Sequence, residues 1–173
     1  MARTIRVKVY KFTELSEEAK QKAIEWFAAG NLDYEWWEAV YEDAGRVGIK
    51  ITSFDIDRGG YCNGDFKEDA LYTANKILEE HGEQCESYKT AEAFIKEREE
   101  IITQAPKDEN GELIDEYELD EKLDECEEEF RKSILEDFRI ILSKEYDYLT
   151  SEEAIKESII SNEYEFTIDG KRF

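Results

Sequence analysis

The chain has 173 residues, 40% hydrophobic and 13% aromatic, with 45 Asp and Glu against 23 Lys and Arg for a net charge of −22. That is enough apolar material for a packed core, and the length predicts one domain over 1–173. The charge repels nucleic acid and anionic membranes, and no run approaches the roughly 18 apolar residues of a bilayer span.

Alternation of Ile5, Val7 and Val9 with Arg6, Lys8 and Tyr10 predicts a half-buried first strand. Ser16 can cap a helix opened by Glu17 and Glu18, with Ala19, Ala23, Ile24 and Phe27 at helical spacing until Gly30. Asp33 can cap a second helix whose stripe holds Trp36, Trp37, Val40, Tyr41 and Ala44, ended by Gly45 and Gly48. Trp36 falls with Val40 on the core side, whereas Trp37 aligns with Tyr41 at the edge, where an aromatic can anchor a partner. Ile49, Ile51, Phe54 and Ile56 give a second strand, with a change of phase near Ser53 that predicts a bulge. Asp57-Arg58-Gly59-Gly60 is a tight turn into a third strand, Tyr61 to Phe66.

From Lys67 onward the period is helical. Ala70, Leu71, Ala74, Ile77 and Leu78 form one helix, closed by His81-Gly82, and Thr90 can cap another carrying Ala91, Phe94, Ile95, Ile101 and Ile102. Residues 105–117, around the single proline Pro106, read as a flexible acidic loop. A long helix runs from about Glu118 to Tyr146, with Leu119, Leu123, Cys126, Phe130, Ile134, Phe138, Ile141 and Leu142 on one side. Thr150 and Glu153 fit a capping box for a short last helix that ends at Asn162. Tyr164, Phe166 and Ile168 alternate as a final strand, predicted to join the N-terminal one. The class is therefore α+β: a small antiparallel sheet of N-terminal strand, central hairpin and C-terminal strand, packed with about six helices, one long and acidic.

Known site chemistries fit poorly. Asp55–Gly60 starts like a calcium loop, but an EF-hand needs an oxygen ligand at the fifth position and Glu at the twelfth, where Gly59 and Phe66 stand. His81 and Cys85 sit at i, i+4 spacing with Cys62 as a conceivable third ligand, but one His and no CxxC pair fall short of a zinc site. No Walker loop, GxGxxG or HExxH is present. No metal, cofactor or catalytic residue is expected, and the chain is read as a non-enzyme. Three cysteines, an odd number, with no secretory leader pattern at Met1–Phe12 predict a reduced, cytoplasmic protein.

The strongest signal is the placement of charge. Residues 107–129 hold thirteen acids against Lys107 and Lys122, a net −11, whereas the first sixty residues are near balance with eleven acids and nine bases. Asp120, Asp124 and Glu128 repeat at i, i+4, as do Glu121 and Glu125, and such like-charge pairs oppose helix formation. Rows of carboxylates at this density approach duplex DNA, which carries one charge per roughly 1.7 Å of axis.

Four segments, Tyr10–Lys20 (YKFTELSEEAK), Asp33–Trp37 (DYEWW), Asp55–Tyr61 (DIDRGGY) and Asn162–Phe173 (NEYEFTIDGKRF), resemble a family of small proteins of bacteriophages, prophages and related mobile elements. Some of its members are labelled antitoxins of toxin–antitoxin type. The resemblance covers both ends and little of the middle; it implies a mobile-element origin and no defined catalytic residues. The leading expectation is a phage-type acidic protein that inhibits a host nucleic-acid-binding defence complex, anti-CRISPR or anti-restriction, by DNA mimicry. Its partner would be a basic protein surface in the host cytosol, met by Asp120, Glu121, Asp124, Glu125, Glu128, Trp37, Tyr41 and Tyr61. The alternatives are an antitoxin for a basic toxin, and an enzyme built on the Asp55–Asp65 hairpin.

Overall fold

A computed structural model of the protein describes residues 6–28, 30, 32 and 34–173. The fold is α+β, with six helices and two separate two-stranded antiparallel ladders among the described residues. The chain forms two compact units, Met1–Trp36 with Lys144–Phe173, and Trp37–Ser143.

In the first unit, β1 (Tyr10–Lys11) pairs with β4 (Glu165–Phe166), so the N-terminal and C-terminal strands do meet. The ladder is much shorter than the alternation predicts, and Ile5 lies outside the described residues. Phe12 opens a single 3-10 turn on one strand. On the other, Thr167 N–H donates to the Lys171 carbonyl, folding the chain back so that Phe166 bridges to Arg172. Two helices cover the ladder, α1 (Glu17–Ala28) and α6 (Glu152–Ser161). Their apolar stripes bury Ala23, Ile24, Phe27, Ile155 and Ile159 around Phe12 and Phe166. Ser16 caps α1 as expected, its Oγ accepting from Ala19 N–H at 3.3 Å. The cap of α6 is Ser151, whose Oγ accepts from Ala154 N–H at 3.2 Å. Thr150, the predicted cap, instead donates its hydroxyl to the Tyr146 carbonyl of the preceding helix at 2.8 Å. Gly170, at φ 83°, packs its Cα against the α1 backbone at Ala19, where any Cβ would collide with the Ala19 carbonyl.

In the second unit, α2 (Glu38–Arg46) leads into β2 (Ile49–Asp55) and β3 (Tyr61–Phe66), then α3 (Ala70–Glu80) and α4 (Glu86–Gln104). The hairpin is a ladder of its own, not part of one sheet with β1 and β4. Its register shifts between Ile51 and Ser53, the bulge the phase change calls for. The extra residue turns Phe54 to the face that already carries Ile49 and Ile51. Asp33 lies outside the described residues. α2 starts at Glu38, so Trp36 is not on its core stripe and packs instead on Tyr146, the rings tilted at 57° with centroids 5.6 Å apart. α4 starts at Cys85–Glu86 rather than at Thr90, because Thr90 Oγ1 finds an acceptor in Asp137 Oδ2 at 2.7 Å and becomes a tether inside the helix.

Helix α5 spans Glu116–Leu149, 34 residues and so about 51 Å. Its first 28 residues belong to this second unit, where Cys126, Phe130, Ile134, Phe138 and Leu142 form its buried stripe. Phe130 sits between Phe94 of α4 (4.3 Å, 12° interplanar) and Phe66 of β3 (5.6 Å, 21°), a stack of three rings joining three elements. Residues 105–115 close over Asp108, whose Oδ1 accepts from the amides of Asn110 and Glu112, and a bridge joins Lys107 to Leu113. Those amides, Glu112 first, hold the Asp108 carboxyl below its usual range.

Candidate functional site

All eight residues singled out by charge and aromaticity lie in the Trp37–Ser143 unit. α5 carries the acids. Asp115 caps it, its Oδ1 accepting from Glu118 N–H at 3.0 Å, which also places negative charge at the positive end of the helix dipole. Because Leu119, Leu123 and Cys126 turn inward, Asp120, Glu121, Asp124 and Glu125 turn outward, and all four are exposed. None of them has an ion-pair partner among the described residues. Lys122, the one cation between positions 115 and 125, is held by Glu118 at 2.7 Å.

Glu128 differs from the other four. Its carboxylate takes two hydrogen bonds from Arg131, at 2.7 and 2.9 Å, and these hold its carboxyl below the usual range. Arg131 in turn donates to the Gly64 carbonyl at 3.1 Å, fastening β3 to α5. The approach is so close that a Cβ at Gly64 would lie 2.6 Å from the Lys50 carbonyl oxygen and 2.9 Å from Leu135 Cδ2. Glu128 therefore serves the fold, and its charge is largely neutralised by Arg131.

The aromatic residues divide into two groups. Trp37 and Tyr41 both meet Phe54 edge-on, at 5.7 and 6.0 Å, and Phe54 is the member the sequence did not single out. Cys62, opposite Phe54 in the ladder, is half-buried there; burial first, and then Glu136, push its thiol up to about 11. Burial also raises the Tyr41 hydroxyl, with the neighbouring Cys62 adding to it. Tyr61 is exposed on the other face of the hairpin, opposite Asp55. The aromatic edge thus sits by the Glu136–Arg139 turn of α5, roughly 16 Å along the axis from Glu125. The eight residues form an acidic face, an aromatic edge and a separate tyrosine, not one patch.

Two chemical constellations can be placed. Asp55 Oδ1 accepts from Asp57 N–H and Asp65 Oδ1 from Phe66 N–H, so both hairpin carboxylates satisfy local amides. His81 lies between Ser87 Oγ, 2.7 Å from Nδ1, and Asp43 Oδ2, 3.4 Å from Nε2 and too poorly aimed to bond it. The trio has the composition of a hydrolase triad, but Ser87 is only 2% exposed, which closes its hydroxyl to any substrate carbonyl. The His81–Ser87 hydrogen bond ties the end of α3 to the first turn of α4. Cys85 is exposed at that corner, and no group of three His, Cys, Asp or Glu side chains suited to a metal occurs among the described residues.

No helix among the described residues is long and apolar enough to cross a membrane. Comparison with known protein families, with curated proteins and with solved structures finds no match.

Proposed function

We propose that the chain is a phage-type acidic interaction protein that inhibits a host nucleic-acid-binding defence enzyme, by anti-CRISPR or anti-restriction action, in presenting phosphate-like charge to a basic surface. The observation that carries the reading is the exposed, unpaired set Asp120, Glu121, Asp124 and Glu125. With Glu128 and Glu129 paired to Arg131 and Lys132, the five carboxylates Asp120, Glu121, Asp124, Glu125 and Glu127 fall along roughly 12 Å of helix, about one per 2.4 Å, against one per ~1.7 Å in duplex DNA. Maintaining that density against its own repulsion is a cost that a merely solvated face would shed by interspersing lysines.

The test is competition on a panel of purified CRISPR effectors and restriction enzymes with labelled duplex DNA. The protein should displace DNA from its target and slow cleavage, with an effect that falls steeply as salt rises, because exposed charges are screened over about 8 Å at physiological ionic strength. Replacing Asp120, Glu121, Asp124 and Glu125 with Gln should abolish displacement while the far-UV circular dichroism is unchanged. Displacement that ignores both the salt and the substitutions overturns the proposal.

A further inference from the structure

The chain contains two Asn-Gly pairs, Asn63-Gly64 and Asn110-Gly111, and both asparagines are exposed. In such a pair the backbone nitrogen of the glycine, with no side chain beside it, can attack the asparagine side-chain carbon. The fold holds the two pairs in unlike ways. Asn110-Gly111 lies at the tip of the loop that the Lys107–Leu113 bridge closes. No atom stands within 4 Å of where a Gly111 Cβ would be, so there is room for the peptide to turn. Asp108 fastens the tip: its Oδ1 accepts from Asn110 N–H at 2.8 Å and Glu112 N–H at 2.9 Å, and its carbonyl accepts from Gly111 N–H at 3.0 Å. Asn63-Gly64 lies inside β3, paired with Ser53 and Ile51 of β2. The Asn63 side-chain amide donates to Ser53 Oγ at 3.1 Å, and Arg131 holds the Gly64 carbonyl. A Gly64 Cβ would lie 2.6 Å from the Lys50 carbonyl oxygen, which leaves this strand no room to turn.

Ring closure needs the peptide plane between the two residues to rotate until the glycine nitrogen faces the asparagine Cγ. At Asn110 that rotation breaks the Gly111 bond to Asp108 and loosens one exposed loop. At Asn63 it takes two residues out of the ladder and breaks the tie to α5. We infer that Asn110 is a site of spontaneous modification, at a rate set by the Asp108 clasp, and that β3 withholds the same reaction from Asn63. The Gly111 nitrogen gives its proton to a solvent base and bonds to Cγ; the Cγ–Nδ2 bond breaks, and Nδ2 leaves as ammonia with a proton from solvent. The five-membered imide then takes up one water. Opening at Cγ gives aspartate, and opening at the main-chain carbonyl carbon gives isoaspartate, with the backbone running through Cγ. One water enters, one ammonia leaves, and nothing is oxidised or reduced. Either product adds a carboxylate to the acidic run of residues 107–129, and isoaspartate also lengthens the loop by one backbone atom. The reaction needs no partner and is independent of whether the acidic face is a contact surface.

The test follows both asparagines in one sample. The full chain is incubated in mildly alkaline buffer, and its tryptic fragments 108–122 and 59–67 are mapped by mass spectrometry over time, with isoaspartate read by enzymatic methylation. In the folded chain Asn110 should convert at least about tenfold faster than Asn63. Asp108→Ala, which removes the acceptor of the Asn110 and Glu112 amides, should speed Asn110 severalfold and leave Asn63 as it was. In urea the two sites should converge to within about twofold, because neither clasp nor ladder survives there. Asn110 lasting as long as Asn63 in the folded chain would overturn the inference. A rate at Asn110 that Asp108→Ala leaves unchanged, or an acceleration of both asparagines alike, would overturn the role of the clasp. A gap that persists in urea would assign the difference to sequence neighbours and overturn the role of the fold.

Discussion

The three-ring stack through Phe130 offers a direct test of how the second unit is held together. Phe130 is 3% exposed and lies between Phe94 and Phe66, so truncation to Ala removes a buried ring and both its ring contacts. Core Phe→Ala changes cost about 3–5 kcal/mol, and each well-placed aromatic pair adds about 0.5–1.5 kcal/mol beyond its area. Phe130→Ala should therefore sit at the top of that range, about 4–5 kcal/mol. Phe130→Leu keeps most of the volume and should cost about 1–3 kcal/mol, chiefly the two stacks. In urea, with a slope near 2 kcal/mol/M, the Ala variant should unfold at a midpoint lower by about 2 M. A loss below about 1.5 kcal/mol for Phe130→Ala would mean that the stack is peripheral and that α4 and α5 are joined by other contacts.

Asp137 and the cysteines give two more tests. Burial raises the Asp137 carboxyl above its ordinary 3.8, with Glu86 and Glu136 adding to the shift and the Thr90 hydroxyl opposing it. The folded state then holds this proton over a window above the ordinary Asp range, so stability contributed by the neutral form is lost as pH rises through that window. Asp137→Asn, which can still accept from Thr90, should be more stable than the parent at pH 7 and lose that advantage in acid; an equal loss of stability at every pH would refute the argument. With its thiol near 11, Cys62 holds on the order of a thousandth of its population as thiolate at pH 8, so iodoacetamide should label exposed Cys85 first and Cys62 only on unfolding. Rapid modification of Cys62 in the folded protein would contradict the half-buried hairpin face.

Much of the local structure was legible because it depends on near neighbours. The Ser53 bulge showed as a slip in alternation, the α5 core stripe as a helical period, and the Ser16 cap as a residue ahead of two acids. What failed depended on a distant partner. Thr90 looked like a cap until Asp137, 47 residues later, took its hydroxyl. Trp36 looked like a helix core residue, yet its ring packs on Tyr146. The strands were predicted as one sheet because nothing local shows that the hairpin pairs only with itself. Among the candidate site residues, Glu128 was indistinguishable from its neighbours by spacing; only the Arg131 contact to Gly64 shows that it serves the fold.

The pairing of β1 with β4 also dictates an order of events during synthesis. Phe12, Ile24 and Phe27 emerge first, and the residues that cover them, Ile155, Ile159 and Phe166, follow only after about 130 more. At about 5–20 residues per second the ribosome needs about 6–30 s to span that interval. The Trp37–Ser143 unit is continuous, so it can close within the wait, whereas α1 must remain an uncovered amphipathic helix until α6 appears. For those seconds the nascent chain shows an apolar stripe that the finished protein hides, which makes the early α1 segment the natural client of a holdase and the place where premature association would begin.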